Sequence, residues 1–318
     1  MSLGSCICLT TAVTTGSGAQ VAIHCDGLTK RFGALTALDR LTLDVQAGEV
    51  FGFLGPNGAG KSTTLRLLLG LIRPSAGRAS ILGIDVAEVT ELHHHLAYIP
   101  GDVSLWPRLT GAECLDLFAH LRGGIDVAYR TELVERFQLE VDKRAKTYSK
   151  GNRQKVALIA AFATRADVML MDEPTSGLDP LMEQEFQRCV HEATARGQTI
   201  FLSSHILSEV EELCSRVGIL RAGVLVEVAT IEKLRGIHKT ELEIDFDGAP
   251  PDLSTVEGVA AVTPTPGGVR LQLNGSPRPV LRRVADEAVT GVRTREASLE
   301  EIFLTYYDGH GEPAPDGR

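Results

Sequence analysis

One run of residues, Gly55-Pro56-Asn57-Gly58-Ala59-Gly60-Lys61-Ser62, has the types and spacing to hold a chain of phosphates. Glycines let a loop fold tightly enough for consecutive backbone N–H groups to point inward at phosphate oxygens. Lys61 would neutralise charge on the terminal phosphates, and the Ser62 hydroxyl would take one position around a Mg2+ ion. A second run, far along the chain, ends in Asp172-Glu173. An aspartate there can hold Mg2+ through its water shell, and a glutamate beside it can polarise an attacking water as general base. Alone, each run has a bland reading, a glycine-rich turn or a solvated pair of acids. Together they are two halves of phosphoryl chemistry.

Such residues need elements to aim them. Val50-Phe51-Gly52-Phe53-Leu54 is a continuous apolar run that predicts a buried strand ending in the glycine loop. Thr63 to Leu71 continues as an apolar-rich helix, whose start near Ser62 adds the positive end of its dipole. Strand, glycine loop, helix is the context a phosphate loop requires. Val168-Met169-Leu170-Met171 and Thr199-Ile200-Phe201-Leu202 are apolar throughout. They predict parallel strands buried on both faces, with ligands at their carboxyl ends. Leu41-Thr42-Leu43-Asp44-Val45 alternates as a half-buried strand does. Between these strands the middle of the chain carries helix-like patterns such as Cys114-Leu115-Asp116-Leu117-Phe118.

The texture changes near Ile237. Leu242, Ile244 and Phe246 alternate, as do Val269, Leu271 and Leu273, with Gly- and Pro-rich stretches between. Arg278 to Val289 reads as a helix, and Ser298-Leu299-Glu300-Glu301 as a capping box opening another. The expected organisation begins with a disordered leader over residues 1–20. An α/β domain follows over 21–235, with a mostly parallel sheet and a helical subdomain at about 102–165. A small C-terminal α+β domain over 237–307 and a flexible tail over 308–318 complete it.

Composition narrows the partners. The 318 residues hold Lys+Arg 32 against Asp+Glu 41, a formal net charge of −9. That balance, without a basic run interleaved with aromatics, argues against nucleic acid. The apolar run Val156 to Thr164 falls well short of the ~20 residues that span a bilayer. The leader lacks the Lys or Arg of a secretory signal. Cys6, Cys8, Cys25, Cys114, Cys189 and Cys214 are scattered without metal spacing, as reduced thiols of a cytosolic protein would be. His93, His94 and His95 invite a metal reading, but successive helix positions point about 100° apart, so a solvated surface is expected.

Four motifs stand in a telling order: Gly55 to Thr63, Tyr148-Ser149-Lys150-Gly151-Asn152-Arg153-Gln154, Asp172-Glu173-Pro174-Thr175-Ser176-Gly177-Leu178-Asp179, and Ser203-Ser204-His205. In this order the chain resembles the nucleotide-binding subunits of ATP-binding-cassette (ABC) transporters. The C-terminal domain, ending Ser298 to Phe303, resembles the drug-resistance exporter branch. The resemblance implies a P-loop NTPase fold, ATP and Mg2+ as bound groups, and ATP hydrolysis that drives transport. It implies that Gly55, Pro56, Asn57, Gly58, Ala59, Gly60, Lys61, Ser62 and Thr63 wrap the phosphates, and that Phe32 stacks on adenine. Ser62 and Asp172 would hold the metal; Glu173, His205 and Lys61 would carry catalysis, with His205 on the γ-phosphate. Ser149 and Gly151 would complete the ATP site of the opposite subunit in a head-to-tail dimer, and Asp179 would connect the two sites.

A separate transmembrane permease subunit is implied as the partner. This chain would then be cytoplasmic and peripheral on the inner face of the cell membrane. Trp106 lies where the family contacts that permease, or else is a locally packed loop residue. Non-transport relatives in translation carry two cassettes, and those in DNA repair carry a long coiled coil; one copy of each motif and no sustained heptads fit neither. The chain also departs from the family. Lys150 and Asn152 replace the usual glycine and glutamine, and Gly101-Asp102 follows Tyr98-Ile99-Pro100 where a metal-reaching glutamine is usual. Asp102 could approach the metal, or cap the following turn while water completes the metal shell.

Overall fold

The computed structural model describes residues 20–237, 240–274 and 276–295. The expected leader, apart from Gln20, the capping box at Ser298, the tail, and Cys6 and Cys8 lie outside the described residues.

The chain opens with β1 (Val21–Phe32), β2 (Leu35–Gln46), β3 (Val50–Leu54), α1 (Lys61–Leu68), β4 (Ala76–Ile81), β5 (Ile84–Asp85), α2 (Val89–His95) and β6 (Leu96–Ile99). A helical stretch follows: α3 (Gly111–Arg122), α4 (Val127–Arg136), a 3-10 turn at Ala145–Thr147, and α5 (Lys150–Ala163). Next come β7 (Val168–Asp172), α6 (Pro180–Ala195), β8 (Thr199–Ser204), α7 (Leu207–Leu213), β9 (Arg216–Arg221), β10 (Val224–Thr230) and α8 (Ile231–Ile237). Last are β11 (Thr240–Phe246), β12 (Val259–Thr265), β13 (Gly268–Leu273), α9 (Arg278–Arg283) and β14 (Val289–Arg295).

The central sheet has the order β10-β9-β3-β8-β7-β6. Neighbours pair in parallel from β9 to β6, and only β10 runs antiparallel, against β9. Every residue of β3, β7 and β8 is buried, which is why these runs read as unbroken apolar stretches. Their side chains still alternate between two cores. Met169 and Met171 pack with Phe162, Phe186 and Val190 on one face. Val168 and Leu170 pack with Phe51, Phe53, Leu65 and Leu68 on the other. Burying both faces fixes the register of β3, β7 and β8, so their carboxyl ends line up along one edge. The antiparallel sheet β2-β1-β4-β5 contributes Leu28, Leu41 and Val45 to the second core.

A third sheet, in the order β12-β13-β11-β14, surrounds its own small core of Leu242, Ile244, Leu271, Leu273 and Val280. Here the structure differs from the sequence expectations. The helix expected over Arg278 to Val289 ends at Arg283, and Val289 opens strand β14 instead. Val280 and Val284 give one buried helical turn, and the polar Asp286-Glu287 that follows has no apolar face to continue it. Strand β12 was hidden by Pro264, which an edge strand tolerates and an inner strand does not. The helix after the glycine loop stops at Leu68 rather than Leu71, where Gly70 takes a left-handed φ of 68°.

Candidate active site

The glycine loop joins β3 to α1, and Gly60 caps the helix with a φ of 114°. A side chain at Gly60 would be strained, and its Cβ would lie 2.6 Å from the Ala37 carbonyl oxygen. The loop therefore lies against β2, and the first N–H groups of α1 open toward its concave side. Lys61 follows directly and is only 5% exposed. Its ammonium donates to the Gly55 carbonyl at 2.6 Å and to the Pro56 carbonyl at 3.3 Å. Burial pushes the Lys61 pKa below its usual range, while the Glu173 and Asp172 carboxylates pull it back. A desolvated cation folded over a loop of inward N–H groups is an anion site in waiting.

Asp172 ends β7, and both of its oxygens are engaged. Oδ2 accepts from the Ser62 hydroxyl at 2.8 Å, and Oδ1 from the Ser203 hydroxyl at 3.0 Å. Glu173 then turns sharply, with a left-handed φ of 48°, while its N–H donates to the Ser203 carbonyl at 2.9 Å. Such a conformation costs a non-glycine residue roughly 1–3 kcal/mol. It brings Glu173 Oε1 to 3.0 Å from His205 Nδ1 and 4.0 Å from Lys61 Nζ. The structure thus gathers Lys61, Ser62, Asp172, Glu173 and His205, from three separate segments, at the carboxyl edge of the sheet.

Two further residues belong to this arrangement and carried no role in the sequence reading. Ser203 sits opposite Asp172 in the β7–β8 register. Its signal was a polar residue at the end of a buried strand. Gln154 is 1% exposed and donates to the Pro174 carbonyl at 2.9 Å and toward the Pro100 carbonyl at 3.5 Å. It ties α5 to the loops after Glu173 and before Gly101.

Other expected residues lie apart from this cluster. Phe32 is 49% exposed at the tip of the β1–β2 hairpin, with Lys30 Nζ 4.9 Å from its ring centre. Ser149 caps α5, its hydroxyl accepting from the Asn152 N–H at 3.2 Å. Asp179 caps α6 by accepting from the N–H groups of Leu181 and Met182, both at 3.1 Å. Gly151 packs so tightly that a Cβ there would lie 2.3 Å from the Gly177 carbonyl. Lys150 donates to the Ser176 hydroxyl at 2.5 Å. Among the described residues no bond joins Ser149, Gly151 or Asp179 to the Lys61–Asp172 cluster.

The remaining expectations divide. Asp102 is exposed and accepts no hydrogen bond among the described residues, so it does not cap the following turn. The histidine run is not simply solvated. His93 Nε2 donates to the Leu69 carbonyl at 2.8 Å, and His95 Nδ1 lies 2.6 Å from Asp167 Oδ2, because α2 packs its last turn on the sheet edge. No cluster of three or more His, Cys, Asp or Glu side chains placed to hold a metal occurs among the described residues. Trp106 is 47% exposed, yet its ring lies 5.9 Å from Phe118. Among the described residues no helix is long and apolar enough to cross a membrane.

Comparison with known proteins places this edge in context. The family model described as ABC transporter matches residues 38–176. The chain is 30% identical over 302 residues to the bacitracin transport ATP-binding protein BcrA of Enterococcus faecalis, covering 92% of this chain and 98% of that one. It is 32% identical over 292 residues to the uncharacterized ABC transporter ATP-binding protein YhcH of Bacillus subtilis, covering 90% and 95%. Among solved structures it is similar to an ATP binding subunit of an ABC transporter. That likeness has a TM-score of 0.63 at 33% identity, and covers 67% of this chain and 92% of the other. A phosphate loop facing a paired aspartate and glutamate, and similarity over nearly the whole length of two relatives, lead to one conclusion: the chain belongs to the ABC transporter ATP-binding proteins, as an ATP-binding and ATP-hydrolysing subunit.

Proposed function

We propose that this chain powers an exporter, working as a head-to-tail dimer that encloses two ATP molecules with Mg2+. The observation that carries the reading is the 2.8 Å bond between Ser62 and Asp172, set beside the Glu173–His205 pair. A hydroxyl and a carboxylate in contact offer the hard oxygen donors that suit Mg2+, so Ser62 and Asp172 would hold it. When bound, the ion would neutralise charge on the β- and γ-phosphates. Lys61 now donates to loop carbonyls and would exchange them for phosphate oxygens within the cradle of Gly55 to Thr63. That exchange moves its cation from Glu173 toward the substrate, and frees Glu173 to accept a proton from the attacking water. His205, already 3.0 Å from Glu173, would turn its imidazole to the γ-phosphate. Phe32 offers an exposed ring face for adenine.

Ser149 and Gly151 would act on the ATP held by a second copy, and Asp179 would connect the two sites, since they stand at helix starts with no bond to the phosphate loop of their own chain. The motive force would be delivered to a separate transmembrane permease, with this subunit on the inner face of the membrane and Trp106 at the contact. Export of an antibiotic or hydrophobic drug is supported by the names of two relatives. One is the bacitracin transport protein. The other is a probable multidrug ABC transporter ATP-binding protein of Escherichia coli, 34% identical over 226 residues.

Glu173→Gln keeps size and loses basicity, so this variant should bind ATP, leave it uncleaved, and form a closed dimer. Light scattering should detect the dimer with ATP and a monomer with ADP. Pull-down of wild type from detergent extract should recover an integral membrane protein. A variant that stays monomeric with ATP, or recovery of only ribosomal or DNA-repair proteins, retires the reading.

A further inference from the structure

The catalytic pair stands on two loops, one after β7 and one after β8, and a carboxylate from α7 reaches the neighbourhood of both. Glu209 is 7% exposed. Its Oε2 accepts from the Ser204 hydroxyl at 2.6 Å, immediately before His205. The Ser204 oxygen in turn accepts from the Ile206 N–H at 3.0 Å, so the turn that carries His205 is folded around the hydroxyl that Glu209 holds. Thr175, two positions after Glu173, lines the same cavity as Glu209. Oε1 is buried and makes no hydrogen bond that satisfies it.

Two cavities border this carboxylate and the loops it holds. One, of about 160 Å³, is lined by Glu209, Thr175, Glu183 and Gln187. The other, of about 200 Å³, shares Thr175 and Glu183 and opens behind Glu173 and His205. No Arg or Lys lines either cavity, and a buried carboxylate with an unsatisfied oxygen and no cation against it is destabilising. Burial pushes the Glu209 carboxyl above the usual range. The Ser204 and Thr175 hydroxyls and His205 pull it down, and Glu183 of α6 pushes it further up. Cys214, just past α7, has its own thiol pushed up by burial and by Glu209. An apolar residue would suit this pocket better if packing were its whole purpose.

We propose that Glu209 is a positioning residue for ATP hydrolysis: from α7 it holds Ser204, and through it the turn that sets His205 against Glu173. The inference rests on the assignment of Glu173 and His205 to catalysis. A carboxylate that fixes the Ser204 hydroxyl fixes the turn that carries His205, whereas removing it lets that turn relax away from Glu173. Displacements of an ångström in a reacting group are enough to cost large factors in rate.

The test is steady-state ATPase of the purified full chain, with KM for ATP and the melting temperature measured alongside. Glu209→Leu should lower kcat about tenfold or more, with KM within about twofold and the melting temperature unchanged or raised. Glu209→Gln, which keeps an acceptor for Ser204, should recover most of the rate. Ser204→Ala leaves Glu209 in place and should reproduce the loss of kcat, which covers the case in which the leucine variant does not fold. Wild-type kcat in Glu209→Leu or, should that variant not fold, in Ser204→Ala overturns the proposal. So does a fall in kcat that tracks a fall in melting temperature or a rise in KM. A wild-type chain without ATPase, or a Glu173→Gln variant that turns over normally, retires the underlying assignment instead.

Discussion

Two regions of this molecule hold the residues proposed for the nucleotide site, and they treat their polar side chains in opposite ways. At the carboxyl edge of the central sheet, Lys61 and Asp172 are buried, Lys61 bonded to the Gly55 carbonyl and Asp172 to the Ser62 and Ser203 hydroxyls. At the starts of α5 and α6, Ser149 and Asp179 are exposed and spend their hydrogen bonds on capping their own helices. The first region is assembled by sheet register inside one chain. The second is locally complete and presents its helix ends outward, where only another molecule could use them. Desolvated groups hold geometry before substrate arrives, whereas exposed caps cost little until a partner covers them. On the proposed reading, the half-site that binds is preorganised, and the half-site that would complete it on a second copy is portable.

The largest effect expected is Lys61→Ala. It removes the one ammonium inside the glycine loop, and ATPase activity should fall to background, a loss of about a thousandfold or more. Near-full turnover in the purified variant would break the comparison at its stronger side.

Gly151→Ala attacks the other side. A Cβ there would lie 2.3 Å from the Gly177 carbonyl, so the α5 start or the Gly177 loop must shift. The expected result is a drop in kcat of about tenfold or more while a single chain still binds ATP normally in equilibrium titration. Loss of ATP binding in proportion would mean that the two regions are one structural unit.

A smaller and pH-dependent effect separates them again. Burial raises the folded-state pKa of Glu209, so its charged form is less favoured in the folded chain than in the unfolded one. The stability it allows is fully present below the ordinary carboxylate range and is lost as pH rises through the raised folded-state pKa. Glu209→Gln has no such charge to bury. Its melting temperature should match wild type in acid and exceed it increasingly as pH rises. Parallel melting curves for the wild type and Glu209→Gln across the pH range would remove the contrast in burial.

Much of the first region was legible in sequence because β3, β7 and β8 announce themselves as unbroken apolar runs, and Gly60-Lys61-Ser62 follows one of them directly. Ser203, Gln154 and Glu209 were not legible in the same way. Their partners are set by the β7–β8 register, by the return of α5 to the Pro174 loop and by the fold of the His205 turn, and none of these is local in sequence. The C-terminal sheet was half legible. Leu242, Ile244, Val269 and Leu271 alternate as inner strands do, but β12 and β14 are edges, where Pro264 and Arg293 are tolerated and the apolar pattern fades. The caps of α5 and α6 were visible only as family motifs, since a serine or aspartate at a helix start carries no mark of what it will face.

The smallest expected effect concerns the loop between the two regions. After β6, Pro100 is followed by Gly101, where a Cβ would lie 3.0 Å from the Asp172 carbonyl and 3.6 Å from Glu173 Cβ. The backbone itself therefore occupies the space in which a longer residue would send a side chain to the metal. Asp102 comes one residue later, exposed, with no hydrogen bond among the described residues and a side chain too short to reach back without a backbone shift. Ser62 and Asp172 would then be the protein's contribution around Mg2+, with water taking positions that a side chain could otherwise fill. Asp102→Ala should accordingly leave the Mg2+ concentration for half-maximal ATPase within about twofold of wild type. Titrating Mg2+ at saturating ATP measures it directly. A rise of about tenfold or more would bring Asp102 into the metal shell, and would mean that the loop swings toward Asp172 once ATP is bound.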